Sequence, residues 1–180
     1  GIEVFNITVA PVTANSNAAV IDFENVIADS LSITNIGSDN ENLTLENLNK
    51  IPEFTLQTNS GDTTLQFLDS GLTSATDDLV INLDGAETAS TISLTKSAGS
   101  TSEAIETVSL VVDSVANTLT TLSTNAVDTT TIEITGDENL TITDTLESEI
   151  TSVAAGDFTG DLSVTVTSAA SATVTTGTGD

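Results

Sequence analysis

The sequence predicts an all-β chain wound as an irregular β-solenoid of short strands, parallel β-helix-like, with a β-sandwich as the alternative. Three observations carry this. Apolar residues recur two apart in short runs, such as Ile132/Ile134, Leu140/Ile142 and Leu162/Val164/Val166, with Thr, Ser or Glu between them. That is the period of a strand with one buried face and one wet face. Such runs start about every 11 residues, the spacing of short strands joined by turns. The turns are not those of tight hairpins: the one Asp-Gly, Asp84-Gly85, lies between two runs. The apolar positions are β-branched or Leu, suited to stacking in columns from rung to rung.

Taken in order, the first strand is Ile2–Val9, with Phe5, Ile7 and Val9 on one face, and Pro11 ends it. Residues 13–18 form a polar loop. Further strands are expected at Ala19–Phe23, Leu31–Ile36, Leu43–Leu48, Phe54–Leu56, Thr64–Leu68, Leu79–Leu83 and Thr91–Thr95. Those at Ala104–Val112, Thr118–Leu122, Thr131–Thr135, Leu140–Thr143, Ile150–Val153, Asp161–Thr167 and Ala172–Thr176 complete the series. Within Leu43–Leu56 the order Leu-x-Leu-x-x-Leu-x-x-Ile-Pro resembles one leucine-rich repeat; a strand, a bend and a second strand broken at Pro52 is the simpler reading. Helix evidence is thin. Ser102 and Glu106 miss the capping-box spacing by one residue, and Thr145–Val153 has room for one turn. Ser and Thr oppose helix elsewhere. The least apolar stretch, Lys96–Glu103, suggests a joint near residue 100. The organisation is then an N-terminal β module over 1–100 and a C-terminal solenoid module over 101–180, or one continuous solenoid.

Composition narrows function by what it lacks. The 180 residues hold 27 Asp and Glu against Lys50 and Lys96, a formal charge of −25, with no His or Cys. Ordinary zinc chemistry and Ser–His or Cys–His nucleophile pairs are thereby removed. Two lysines provide no electrostatic footprint for nucleic acid or an anionic membrane, and no spanning segment occurs. Neither nucleic acid nor membrane insertion is expected. High negative charge with few aromatics often marks disorder, but here the mean hydropathy is positive and the alternation strict. The chain is therefore expected to fold, with its charge in turns and on outer strand faces, balanced by divalent cations or salt.

The acidic turns are the candidate sites. Calcium takes six or more oxygens from carboxylates, carbonyls and Asn side chains, often around a glycine bend. Gly136-Asp137-Glu138-Asn139 supplies those types in one turn, and Asp157 and Asp161 flank Gly160. Gly177-x-Gly179-Asp180 has the shape of half a Gly-Gly-x-Gly-x-Asp repeat. The expected ligands are Asp137, Asn139, Asp157, Asp161, Gly177, Gly179 and Asp180, each with the alternative of a solvated turn bonded to its own backbone. Asp77-Asp78 and residues 38–41 are further acidic clusters. Paired carboxylates could in principle hydrolyse glycosides, but all five Phe sit in apolar contexts that read as core, and no enzyme is expected. Thr-x-Thr pairs raise an ice-binding ladder, for which near-identical rungs are missing. Three Asn-x-Thr sequons, at Asn6, Asn42 and Asn139, carry no signal in a chain with 54 Ser and Thr.

The run from Ile132 to Thr167, with Thr-Gly-Asp-Glu-Asn-Leu-Thr-Ile and Val-Ala-Ala-Gly-Asp-Phe-Thr-Gly-Asp-Leu-Ser-Val-Thr, resembles modules of bacterial surface-layer proteins and RTX-type surface proteins exported by type I secretion. Gly1-Ile2-Glu3-x-Phe5-Asn6-Ile7-Thr8 and Ala104-Ile105-Glu106-Thr107-Val108-Ser109-Leu110 resemble their recurrent strand, and Thr-Gly-Thr-Gly-Asp at the end looks like the entry to their calcium repeats. Full repeat arrays are absent, and residues 10–100 match less clearly. The resemblance implies an extracellular, calcium-stabilised solenoid that packs with copies of itself into a cell-surface lattice, with cell-surface polysaccharide engaged by regions outside this chain. A repeat or binding module of a large secreted adhesin is the alternative, with a polysaccharide-active enzyme or ice-binding solenoid further away.

Overall fold

In a computed structural model the chain is a solenoid of two parallel sheets set back to back. The structure describes residues 2–9, 19–36, 42–59, 61–73, 75–86, 90–99, 104–167 and 171–179. The strands are β1 (Ile2–Val9), β2 (Ala19–Asp22), β3 (Ala28–Ile36), β4 (Leu43–Leu48), β5 (Glu53–Asn59), β6 (Thr63–Phe67), β7 (Asp78–Ala86) and β8 (Ser90–Lys96). They continue as β9 (Thr107–Val112), β10 (Asn117–Ser123), β11 (Thr131–Gly136), β12 (Leu140–Leu146), β13 (Ser152–Ala154), β14 (Leu162–Val166) and β15 (Thr173–Thr175). Each expected strand is present, shifted by a few residues at its ends. Odd-numbered strands form an eight-stranded sheet and even-numbered strands a seven-stranded one, every pairing parallel. β7 pairs with β9 and β8 with β10, so both sheets run on past residue 100.

The alternation explains the architecture. Inward side chains of one strand sit on those of the next, and apolar columns run along the stack. One is Ile7–Ile33–Phe54–Ile81–Leu110–Ile134; another is Leu79–Val108–Ile132–Val153–Val174. Facing them across the core is Ile21–Leu45–Leu65–Leu94. Phe23, Phe54, Phe67 and Phe158 are buried, and Phe5 packs half-buried against the same core. A polar bridge crosses the core where buried Asn35 on β3 donates from Nδ2 to Oγ1 of buried Thr63 on β6, at 3.1 Å. The columns lose cover at the outermost rungs, where Ile7 and Val166 are half-buried and Val174 is exposed.

One local expectation changes. Thr145 lies within β12, and the residues after it make one hydrogen-bonded turn, Ile150 N–H to Glu147 O at 3.1 Å, rather than a helical turn. Short 3-10 turns stand instead at Asp69–Gly71 and Asn125–Val127. The leucine-rich-like segment resolves into β4, a bend and β5, with Pro52 just ahead of β5.

Candidate functional site

Among the described residues, the residues that open several strands of the seven-stranded sheet bond to the rung after them. Ala19, Leu43, Asn117 and Leu140 donate their N–H to the carbonyls of Asn42, Asp62, Asn139 and Asp161 on the next rung, at 2.8 to 2.9 Å. The residue before the strand therefore occupies one column, and two of its asparagines repeat one device. Asn139 Oδ1 accepts the N–H of Asp161 at 2.8 Å, and Asn42 Oδ1 accepts that of Asp62 at 2.9 Å. An Asn oxygen there satisfies a turn N–H that the ladder leaves over. Both asparagines open the same phrase, Asn-Leu-Thr followed by Leu or Ile.

The glycines serve close approach of the backbone. Gly160 and Gly179 stand in one column over the carbonyl of Glu138: a Cβ on Gly160 would run into the Glu138 oxygen, and one on Gly179 into the Gly160 oxygen. A Cβ on Gly177 would meet the oxygen of Phe158, which accepts the Thr178 N–H at 3.1 Å. In this stack glycine is the residue that lets one turn settle onto the next.

The expected calcium ligands fall as follows. Asn139 and Asp161 are brought together, one rung apart, by their hydrogen bond. Asp137 lies exposed in the turn after β11, its N–H and that of Glu138 both on the Val112 carbonyl at 3.1 Å. Asp157 is exposed in the turn that Phe158 N–H closes onto Ala155 O at 3.1 Å. Asp180 and the acidic run 38–41 lie outside the described residues. Among the described residues no three Asp or Glu come together as a metal-holding group.

What several acidic side chains do is accept from the backbone across rungs. Glu106 Oε2 takes the Asp77 N–H at 2.7 Å. Glu147 takes the N–H and hydroxyl of buried Thr124, at 2.8 and 3.0 Å, and the Ser123 hydroxyl at 2.9 Å. A carboxylate acceptor makes a stronger bond than a neutral one. Asp22 does the same within its turn: the Glu24 N–H, and then the Asn47 amide, hold its carboxyl below the usual aspartate range. The one described ion pair joins Lys96 to exposed Asp128 at 2.9 Å and is worth little there.

Sequence reasoning missed the residue that does most of this work. Asn117, 2 % exposed at the start of β10, spends its whole hydrogen-bonding capacity. Its Oδ1 accepts from Gly85 and Ala86 N–H at 2.9 and 2.6 Å, and its Nδ2 donates to the carbonyls of Leu83 and Val115. The signal lies in the register and not in the local sequence: Asn117 stands where Leu140 stands one rung on, a polar residue in an apolar register.

Two shallow grooves mark the outside of the eight-stranded sheet. One of about 400 Å³ is lined by Ile51, Pro52, Glu53, Asp78 and Val80, and Asp78 accepts the Ser109 hydroxyl at 2.9 Å. The other, of about 240 Å³, is lined by Thr55, Asn82, Leu83, Asp84, Val111, Asp113 and Ser114, with Asp84 taking the Gln57 amide at 2.8 Å. The chain matches no family model, no curated protein and no solved structure.

Proposed function

We propose that this chain is a structural module of an extracellular surface layer, of the kind its sequence resembles, and that its partners are copies of itself. The observation that supports this reading is the solenoid itself: a continuous apolar core between two broad sheets, with polar turns stacked along the side. Such a body presents extended flat surfaces rather than a single loop-built cleft, and repeat architectures commonly use such surfaces for binding. Its function in this reading is mechanical and electrostatic, with no catalysis.

At −25 the copies repel one another. Calcium acts here as a counterion of the carboxylate-rich turns, lowering that repulsion and steadying the turns. Extracellular calcium modules work at about 10⁻⁴ to 10⁻³ M. Sedimentation velocity and thermal unfolding are to be measured with about 1 mM calcium and with chelator at matched ionic strength. Larger particles and a higher melting temperature are expected with calcium. Identical particles and melting curves in both would remove calcium-driven assembly, leaving the acidity to solubility or salt adaptation.

A further inference from the structure

The two outer faces of the solenoid differ in charge. Of the 27 acidic residues, only Asp22, Glu46 and Asp144 belong to strands of the seven-stranded sheet, and Lys96 stands among them. β6, β8, β10 and β14 carry no carboxylate. Most outward positions of this sheet are hydroxyls set in register, with Gln66 among them: Thr44, Thr64, Ser93 and Ser123 form one column, opened by exposed Val20 and closed where the Ser123 hydroxyl meets Glu147 at 2.9 Å, and Thr118, Thr141 and Ser163 form another. The opposite sheet carries Glu3, Asp29, Glu53, Asp78, Asp84 and Glu133 on its strands. On a chain of −25, the seven-stranded sheet offers the side where a second such chain meets the least repulsion.

We propose that the outer face of the seven-stranded sheet is the contact through which two copies of this chain associate, face to face. The inference deepens the reading above and rests on it in one respect, that the partner is a copy of the chain. Charge selects the occupant, because an equally acidic body is opposed least here. Chemistry fits it too. A hydroxyl both donates and accepts and can turn to suit, so two Ser/Thr faces can satisfy each other without prior matching. The threonine methyls add apolar area, and sheets pack about 10 Å apart. A face meeting its own copy gives a closed, two-fold contact. The register shifts between Leu45 and Leu48, Leu119 and Thr121, and Thr141 and Thr145 break the columns and give the face relief, which favours one mutual orientation.

The test places equal charge on the two faces. One variant carries Thr64→Glu, Ser93→Glu and Thr118→Glu; the control carries Thr34→Glu, Thr55→Glu and Thr135→Glu on the eight-stranded sheet. Circular dichroism checks that both fold, and Ser93→Glu alone, against Thr55→Glu alone, replaces the pair if the first variant does not. Sedimentation equilibrium is run in calcium and in high salt. The wild type and the control are expected to dimerise alike, and the first variant to associate at least about tenfold more weakly, since like charges brought together at an interface oppose association. Equal weakening of both variants would overturn this face while leaving self-association standing. A wild type that stays monomeric in every condition would remove both. Retention of a monomeric wild type on ice or polysaccharide would also overturn the proposal.

Discussion

Replacing Asn117 by alanine is expected to destabilise the fold by about 4 kcal/mol, near the upper end for one substitution. The side chain is buried and serves four backbone groups: the N–H of Gly85 and Ala86 and the carbonyls of Leu83 and Val115. A buried group stripped of its partner costs roughly 1–3 kcal/mol, offset where water can follow it in. Gly85, near the end of β7, holds φ at +99°, a backbone conformation that favours glycine, so its N–H is fixed in the direction of Asn117. The orientation of the amide is fixed by its neighbours, because a flipped NH₂ would face two N–H donors. Urea unfolding followed by circular dichroism measures the loss. Asn117→Asp separates hydrogen bonding from packing. Its carboxylate can still accept from Gly85 and Ala86 but faces two carbonyl oxygens, so its folded pKa is raised. The protonated form is the one the fold tolerates, and stability should recover as pH falls through that raised value. A leucine variant as stable as the wild type would show that the four bonds contribute nothing net.

Phe54→Ala is expected to cost about 4 kcal/mol by a different route, the transfer of the lost ring plus the cavity left behind. Phe54 is fully buried between Ile33 and Ile81 in its column, and that column runs from Ile7 to Ile134. Its neighbours are held by the strand ladder above and below, which limits how far they can close the gap. Phe54→Leu should cost less than about 1.5 kcal/mol, because the replacement approximates the size of the other column members. Phe5→Ala, at a half-buried rung end, should cost less than Phe54→Ala. Equal losses at positions 5 and 54 would mean that the outermost rung is as well covered as the interior.

The strands were legible because their alternation is local: Ile132/Ile134 and Leu140/Ile142 state which face is buried without reference to the rest of the chain. The parallel pairing was legible only indirectly, from regular spacing and the shortage of hairpin turns, since Ile7 and Ile33 meet across an interval no local pattern records. The turns were legible in kind but not in partner. Asp137, Asn139, Asp157 and Asp161 stand out as polar groups around glycines. That Asn139 reaches the Asp161 N–H depends on how one rung settles on the next. The repeated Asn-Leu-Thr phrase at 42 and 139 looked like a chance sequon because the sequence gives no reason to compare those positions; the shared place in the rung supplies one. Asn117 was passed over because a lone Asn before Thr118 and Leu119 resembles any other turn residue. Its burial comes from the register with Leu140.

The continuous stack underlies both the proposed assembly and the contact face, and a distance measures it directly. Thr34, Thr55, Asn82, Val111 and Thr135 are successive partners on the outside of the eight-stranded sheet. The chain has no cysteine, so Thr34→Cys and Thr135→Cys introduce the only two attachment points for spin labels. Four strand spacings of about 4.8 Å separate the two backbones, roughly 19 Å in all. Pulsed electron–electron resonance should give a single narrow distribution close to that distance, broadened only by the label arms. A broad distribution, or one centred well beyond four strand spacings, would contradict a single solenoid running through residue 100.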